Sequence, residues 1–314
     1  MAGDEKIMGY ENIEVISPYE LKELRELEIL QSVNDHAKMK FKGIVAEEVG
    51  DTCVRKATVQ DEIEVKQVVD GTKVRTVFKG VVTSVEVKAV QGIHYLEVET
   101  ISYTFELDLK IKSRSFQDQE MKYKQMIQEV IKDYSGADFN DKASNGQKLE
   151  KFILQYEETD WQFLKRMASH FETVLVPYSA ADGPKFWFGV PSGKSGSLHQ
   201  DFHYTLKRDR SDYLWTAENY NQGLKEKDFI DYDVLSYNYI DIGNRVKCQG
   251  KSLLVAEAKY KGTYNYVVPM LPPENKLDII AWGEYAVKGV GHVVEDVVPY
   301  YLTGKKNERN QGEE

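Results

Sequence analysis

Residues 72–110 constrain this chain more than any other stretch. "TKVRTVFKGVVTSVEVKAV" and "IHYLEVETISYTFELDLK" are separated only by "QG", and each continues well past ten residues. Apolar and charged residues mix along both, as in an antiparallel sheet with one packed face and one wet face. Kept flat, strands of that length would expose long rows of unpaired backbone groups. The pattern therefore predicts a curled sheet or barrel. The preceding segments extend the same reading. "AKMKFKGIV" sets Ala37, Met39 and Phe41 on one face, and "DEIEVKQVV" leads into Asp70-Gly71, a two-residue hairpin turn. "LEILQSV" alternates through Leu27, Ile29 and Val33 and reads as a strand, although "ELKELRELEIL" also fits a helix. In "SPYE", Ser17, Pro18 and Glu20 predict a short helix opened by a capping box.

Beyond residue 110 the period changes. "SFQDQEMKYKQMIQEVIKDYSG" (115–136) places Tyr123, Ile127, Val130, Ile131 and Tyr134 on one helical face, with Ser115 and Asp118 at the start and Gly136 as a stop. "ADFNDKASNGQK" reads as loop and "KFILQYEE" as strand, and a helix opens at Thr159 or Asp160, where Thr159 and Gln162 fit a capping box. "TVLVPY" and "KFWFGV" form a strand pair around "SAADGP". Strands are then expected in "DFHYTLKR", "DYLWTAENY", "DYDVLSYNYI" and "RVKCQGKSLLVAEAKYKGTYNYVVPM". "LPPENK" looks like a connector, "DIIAWGEYAVKGVGHVVEDVVPYYL" is apolar enough to pack, and the polar "TGKKNERNQGEE" has the composition of a disordered tail.

Composition narrows the function. A length of 314 residues suits two domains, with 41% hydrophobic and 29% charged residues. The formal charge of -10 opposes a nucleic-acid-coating role, which rests on neutralising phosphates. The basic runs "KSRSF" (112–116) and "LKRDR" (206–210) read as solvated loop charge. Two cysteines, Cys53 and Cys248, without a CxxC predict buried reduced thiols. The N-terminus lacks a signal-peptide core and no window approaches 18 apolar residues, so the chain is expected to be made in the cytoplasm without a membrane span.

Candidate chemistry is sparse. Glu157, Glu158 and Asp160 crowd a predicted helix start, where the helix dipole stabilises anions and lowers their pKa. A general acid needs the opposite, so a structural role is favoured. A cell-wall glycosidase would need a second carboxylate facing the first across a cleft; peptidoglycan clearing abolished by Glu157→Gln would reveal one. His199 and His203 are four apart and are a weak metal candidate, in a loop-then-strand context without a third ligand. "PSGKSGS" lacks phosphate-loop spacing. The tyrosines of "LSYNYI" and "YKGTYNYVVP" would suit a carbohydrate-binding module, although strand packing accounts for them as well. No metal or cofactor is expected.

The order of four segments carries a resemblance. "LQSVNDHAKMKFKG" resembles a strand-turn-strand with an Asn-acid-His turn. "FKGVVTSVEVKAVQGIHYLEVETISYTFELDLKIKSRSFQDQ" resembles a strand with an F-x-G start and a long return strand. "FILQYEETDWQFLKRMASHFETVLVP" resembles a strand, an acidic helix start, a "DWQFL" helix and another strand, and "IGNRVKCQGKSLLVAEAKY" a late strand pair. Together, over residues 13–270, they resemble the VgrG and phage late-control gene D family, the baseplate hub proteins of contractile tails. The resemblance implies a mainly β fold with α+β elements, in two tube-type β-barrel-like domains with inserted helices. The implied division is 13–112 for the first tube-type domain and 113–205 for the second, with two helices. Bracing strands then occupy 206–272, and a spike dock and tail 273–314.

It further implies a homotrimer that joins a hexameric tail tube protein to a spike protein, beside other baseplate proteins and a tape-measure protein. The setting would be the tail of a phage or tailocin, or a related injection machine, with neither catalysis nor sequence-specific nucleic-acid binding. Tyr156, Glu157, Glu158, Thr159, Asp160, Trp161, Phe163, Leu164 and Arg166 become structural or interface residues. The aromatic and leucine side chains would pack the helix on a barrel, the acids would cap its start, and Arg166 would pair with an acid or stay exposed. About forty residues follow "VVPM" without a repeat, so no needle is expected on this chain.

Overall fold

The computed structural model describes residues 12–58, 60–69, 72–193, 195–197, 204–208, 210–219, 230–236, 240–248, 251–263 and 284–290. In chain order the first half runs β1 (Ile13–Ile16), β2 (Glu23–Ser32), β3 (Lys38–Val45), α1 (Glu47–Lys56), β4 (Glu62–Val69), β5 (Thr72–Val90) and β6 (Ile93–Ser102). A 3-10 helix (Tyr103–Asp108) follows, then β7 (Ile111–Phe116), α2 (Tyr123–Ile131), β8 (Asp138–Asp141), β9 (Ile153–Thr159), α3 (Asp160–Ser169), β10 (Leu175–Pro177) and β11 (Lys185–Phe188). The remainder is β12 (Ser195–Ser197), β13 (Tyr204–Arg208), α4 (Arg210–Asn219), β14 (Ile230–Ser236), β15 (Arg245–Cys248), β16 (Lys251–Thr263) and β17 (Glu284–Val290).

The fold is mainly β, with a curled half-barrel sheet and several helices. Twelve strands share that sheet, in the order β1-β4-β5-β6-β3-β2-β16-β17-β14-β13, and β15 pairs with both β12 and β16. Strand alternation explains its two faces. Leu27, Ile29, Met39, Phe41, Leu96 and Val98 point into one core. On the wet face, Lys40 binds Glu97 and Glu99, and Lys259 binds Glu28 at 2.7 Å. The β5–β6 hairpin turns at Gln91 (φ 50°) and Gly92 (φ 79°), the left-handed pair such a tight turn requires. The Asp70-Gly71 turn lies outside the described residues, but Val69 and Thr72 on its flanks are paired.

β5 is long because it serves two neighbours, β4 through its first half and β6 through its second. Gly80 sits at the overlap, where an added Cβ would lie 2.2 Å from the Ile101 carbonyl oxygen. The "FKG" of the sequence thus has a physical meaning. Phe78 is fully buried, Lys79 donates its backbone N–H to Ser179 at 2.6 Å, and Gly80 lets two strands approach.

Residues 111–188 build a second core around α2 and α3, with β7–β9 and β10-β11-β8 as small sheets. The strands after 204 instead extend the long sheet across the β2–β16 seam. Most of the range 113–205, expected to hold two helices, is a helix-bearing lobe around α2 and α3.

Several local expectations are corrected. Ser17 accepts the Tyr19 N–H in a tight turn, so "SPYE" opens no helix. α1 was not anticipated. Its Glu47 and Glu48 sit in the first turn, Arg55 and Lys56 in the last, and Gly50 and Cys53 face inward, so dipole and packing both favour a helix. β6 ends at Ser102, where the chain tightens into the 3-10 helix instead of continuing to Lys110. The helix expected over 115–136 is confined to α2, because Ser115 and Phe116 belong to β7 and Gln125 accepts the Lys122 N–H at the helix start. The "loop" 137–148 contains β8, and residues 212–219 of "DYLWTAENY" fall in α4.

Candidate functional site

Three of the quoted segments meet where the half-barrel joins the helical lobe. The Asn34-Asp35-His36 turn between β2 and β3 is the first. Asn34 adopts φ 60°, which asparagine tolerates well among non-glycine residues. Its backbone N–H donates to the Leu175 carbonyl at 2.8 Å, and its side-chain oxygen accepts the Leu175 N–H at 2.9 Å. Its carbonyl accepts the Trp161 indole N–H at 3.3 Å. One residue thus binds β10 and α3. Gln31 donates to Ser179 at 2.9 Å, and Lys79 forms an ion pair with Asp182, which tie the lobe down elsewhere.

His36 lies beside Asn34 and is almost wholly buried. Its ring centroid is 4.7 Å from that of Trp161, and Phe105 stands edge-on at 5.6 Å. Nδ1 is 3.0 Å from the Thr104 hydroxyl and Nε2 3.3 Å from an Asp108 oxygen. Burial pushes the His36 pKa down against the opposing pull of Asp108. Asp108 also accepts from Thr159, which links the turn to the cap of α3.

At that cap the sequence pattern forms a reciprocal box. The Gln162 N–H donates to Thr159 Oγ1 at 3.1 Å, and Gln162 Oε1 accepts the Thr159 N–H at 3.2 Å. The neighbouring acids were expected to cap the helix, and their side chains are engaged elsewhere or exposed. Asp160 is fully buried and turns back onto β7 and β9. Lys112 Nζ (2.8 Å) and the Tyr134 hydroxyl (2.7 Å) donate to one oxygen. The Arg114 guanidinium (2.6 Å) and the Gln155 amide (2.9 Å) donate to the other. Burial raises this carboxyl's pKa, but the Lys112, Tyr134 and Gln155 hydrogen bonds and the Arg114 charge outweigh it and leave the group below its usual range. Glu158 pairs with Arg166, which also donates to the Leu154 carbonyl at 2.6 Å.

Glu157 is exposed at φ 47°, in a bulge where β9 carries two residues, Tyr156 and Glu157, against Ser113 of β7. Ser113 Oγ accepts the Glu157 N–H at 3.2 Å. Trp161, Phe163 and Leu164 are buried in the lobe's core, with Phe163 stacked on Phe116 at 5.8 Å. Tyr156 is exposed.

Sequence reading places Tyr134 on a helical face and Lys112 and Arg114 in a basic run, but does not join these residues, Asp108 or Gln155 to the acids of α3. "KSRSF" is strand β7, not loop, and its two cations are spent on Asp160. His199 and His203 lie outside the described residues, as do Tyr237, Tyr239, Tyr264 and Tyr266, whereas Tyr260 is buried in the first core. Cys53 is a buried free thiol. Among the described residues no group of three His, Cys, Asp or Glu is placed to hold a metal, and no helix is long and apolar enough to cross a membrane.

Residues 48–171 match the family model described as phage tail baseplate hub (GPD). No curated protein sequence matches the chain. Among solved structures, the 43 kDa tail protein of prophage MuSo2 from Shewanella oneidensis has a TM-score of 0.60 at 12% identity, over 90% of this chain and 98% of its own. The E. coli c3393 protein, a component of the type VI secretion system with structural similarity to T4 tail proteins gp27 and gp5, has a TM-score of 0.59 at 12% identity, over 90% and 77%. A chain of the Francisella PdpA–VgrG complex has a TM-score of 0.50 at 10% identity, over 90% and 58%.

Proposed function

We propose, from the GPD/VgrG-like family that the sequence match and the shared fold support, that this chain is the central hub of a contractile tail or related injection machine. A structural role in a tail follows from the family and the neighbouring folds. The finer reading is that three copies close into a collar joining a hexameric tail tube to a spike, with other baseplate proteins around it. A tape-measure protein would end nearby.

The observation that carries this reading is the organisation of the long sheet. The sheet divides into two halves at the β2–β16 seam: β1-β4-β5-β6-β3-β2 lie on one side, and β16-β17-β14-β13, with β15 and β12, on the other. We take these halves as the two tube-type units, so that three chains would present six. The wet face of the first half carries opposite charges in register across β2, β3 and β6, a hydrated surface suited to lining a channel. The reading assigns no catalysis. The most buried carboxylate, Asp160, has both oxygens taken by donors that stabilise its anion, which is poor preparation for a general acid.

Native mass measurement of the full chain, alone and mixed with the tail tube and spike proteins of the same machine, tests the reading. A complex containing three copies of this chain is expected. A chain that never exceeds one copy per complex with both partners present would overturn it.

A further inference from the structure

The wet face of the long sheet carries its charges in rows, one sign to a strand. Glu97 and Glu99 stand on β6, Lys38, Lys40 and Lys42 on β3, and Glu26 and Glu28 on β2. Lys259 opens the next row on β16. Strand alternation sets these rows away from the core, because Val98, Met39, Phe41, Leu27 and Tyr260 beside them are buried. The rows are in register: Glu97, Lys42 and Glu26 share one level, and Glu99, Lys40 and Glu28 the next.

Contacts between strands hold the pattern. Lys40 pairs with Glu97 and, at 3.3 Å, with Glu99, and Lys259 pairs with Glu28 at 2.7 Å. Lys40, with Lys88 and Lys42 beyond it, keeps the Glu97 carboxyl below its usual range. β5 adds Glu86 and Lys88, which pair with each other at 3.1 Å. Within the rows four glutamates meet four lysines, and their charges cancel. At the margins Asp35 also takes Lys38, at 2.9 Å, and Glu257 accepts from Ser32 at 3.1 Å, so the lysines are never in excess.

The spacing decides what a passing molecule feels. Rows one strand apart, about 4.8 Å, repeat every two strands, about 9.6 Å. The potential of such an alternating array falls e-fold over its period divided by 2π, about 1.5 Å. The field of a single-signed surface instead reaches a Debye length, about 8–10 Å. A line of phosphates a few ångströms off this face therefore meets almost no field. The β3 row alone would behave otherwise, since lysines about 6.8 Å apart along one strand offer successive phosphate contacts.

We propose that the wet face is a low-grip wall for nucleic acid, on which the glutamate rows of β6 and β2 mask the lysine row of β3. The inference rests on the reading of this face as the lining of a channel, and adds how a polyanion passes it without being held or driven back.

Fluorescence anisotropy of duplex DNA with the full chain, over a salt series, tests it, and thermal unfolding confirms that each variant is folded. Glu26→Gln, Glu28→Gln, Glu97→Gln and Glu99→Gln together take the formal charge from -10 to -6. They should bring salt-dependent binding at least tenfold tighter than that of the wild type. A control of equal charge, Glu47→Gln, Glu48→Gln, Asp51→Asn and Glu150→Gln, changes exposed acids on α1 and in the helical lobe and should not. Adding Lys38→Gln, Lys40→Gln and Lys42→Gln to the first variant should abolish the gain. Glu97→Gln with Glu99→Gln gives the same comparison at smaller size if the fourfold variant does not fold. An unmasked variant that binds no better than the control would overturn the inference. So would wild-type DNA binding that is lost when the three lysines are substituted. Neither result requires assembly, so a chain that never reaches three copies per complex would count against the hub reading alone.

Discussion

Asp160 shows why the acids at the start of α3 resist interpretation from sequence. Four donors from β7, β9 and the segment after α2 converge on it, and three of those residues lie 26–48 positions away. Removing the charge strands Lys112 and Arg114 at the lobe's edge. Asp160→Asn should therefore cost about 3 kcal/mol, since breaking a buried ion pair from one side typically costs 3–5 kcal/mol and both cations keep some hydration. Urea unfolding at neutral pH measures this. The sign of the pH dependence follows from the depressed carboxyl. Its contribution is complete above the ordinary aspartate value of 3.8 and is lost as pH falls through the lower folded value. Acid unfolding of Asp160→Asn should accordingly be flatter below about pH 4 than that of the wild type.

His36 works at the same scale with the opposite chemistry. Burial favours its neutral ring, so the folded state binds a proton less readily than the unfolded chain. Its contribution is present above the ordinary imidazole value of 6.5 and fades as pH falls below it. The charged groups facing it are Asp108 on the 3-10 helix, Asp35 on its own turn and Lys165 on α3. Thermal unfolding between pH 7.5 and 5 should show a loss of stability that His36→Gln diminishes. An unchanged pH profile in that variant would refute this role.

At the scale of elements, local signals read best where one segment satisfies itself. The Thr159–Gln162 box spans four residues, and it is legible in the sequence and present in the structure. Thr159→Ala should cost about 1 kcal/mol as a lost cap, and somewhat more because Thr159 also donates to Asp108. Chemical denaturation would register the difference against Gln162→Ala, which spares the Asp108 bond. Elements governed by their neighbours were harder to read. α1 carries Val54 exposed and Cys53 inward, a weak periodic signal that becomes a helix by packing on the β5–β6 hairpin, where a Cβ added at Gly50 would lie 3.3 Å from side-chain atoms of Val87 and His94. β7 looked like loop because its cations seemed solvated, when their partner was simply far along the chain. Gly80 belongs to this scale too. Gly80→Ala should destabilise by at least 1–3 kcal/mol, the usual range for overpacking, because its Cβ would strike backbone and not a movable side chain. A loss of β5–β6 amide protection in hydrogen exchange would locate the damage.

For the whole molecule, the sequence by itself determined the strand-rich character, the two-faced strands and the break at Gln91-Gly92. All follow from side-chain alternation and backbone preference within a few residues. The resemblance read over 13–270 added an expected family, and the baseplate hub family model matches residues 48–171 within that range. Tertiary structure alone decided which strands share a sheet. The joining of β2 to β16 brings together residues more than 220 positions apart, and no local pattern specifies a partner at that range. It likewise decided that "NDH", "FKG" and "DWQFL" belong to a single junction. Hydrogen bonds such as those of Asn34 with Leu175 and Trp161 depend on three-dimensional proximity, which an alternation of apolar and polar residues does not encode.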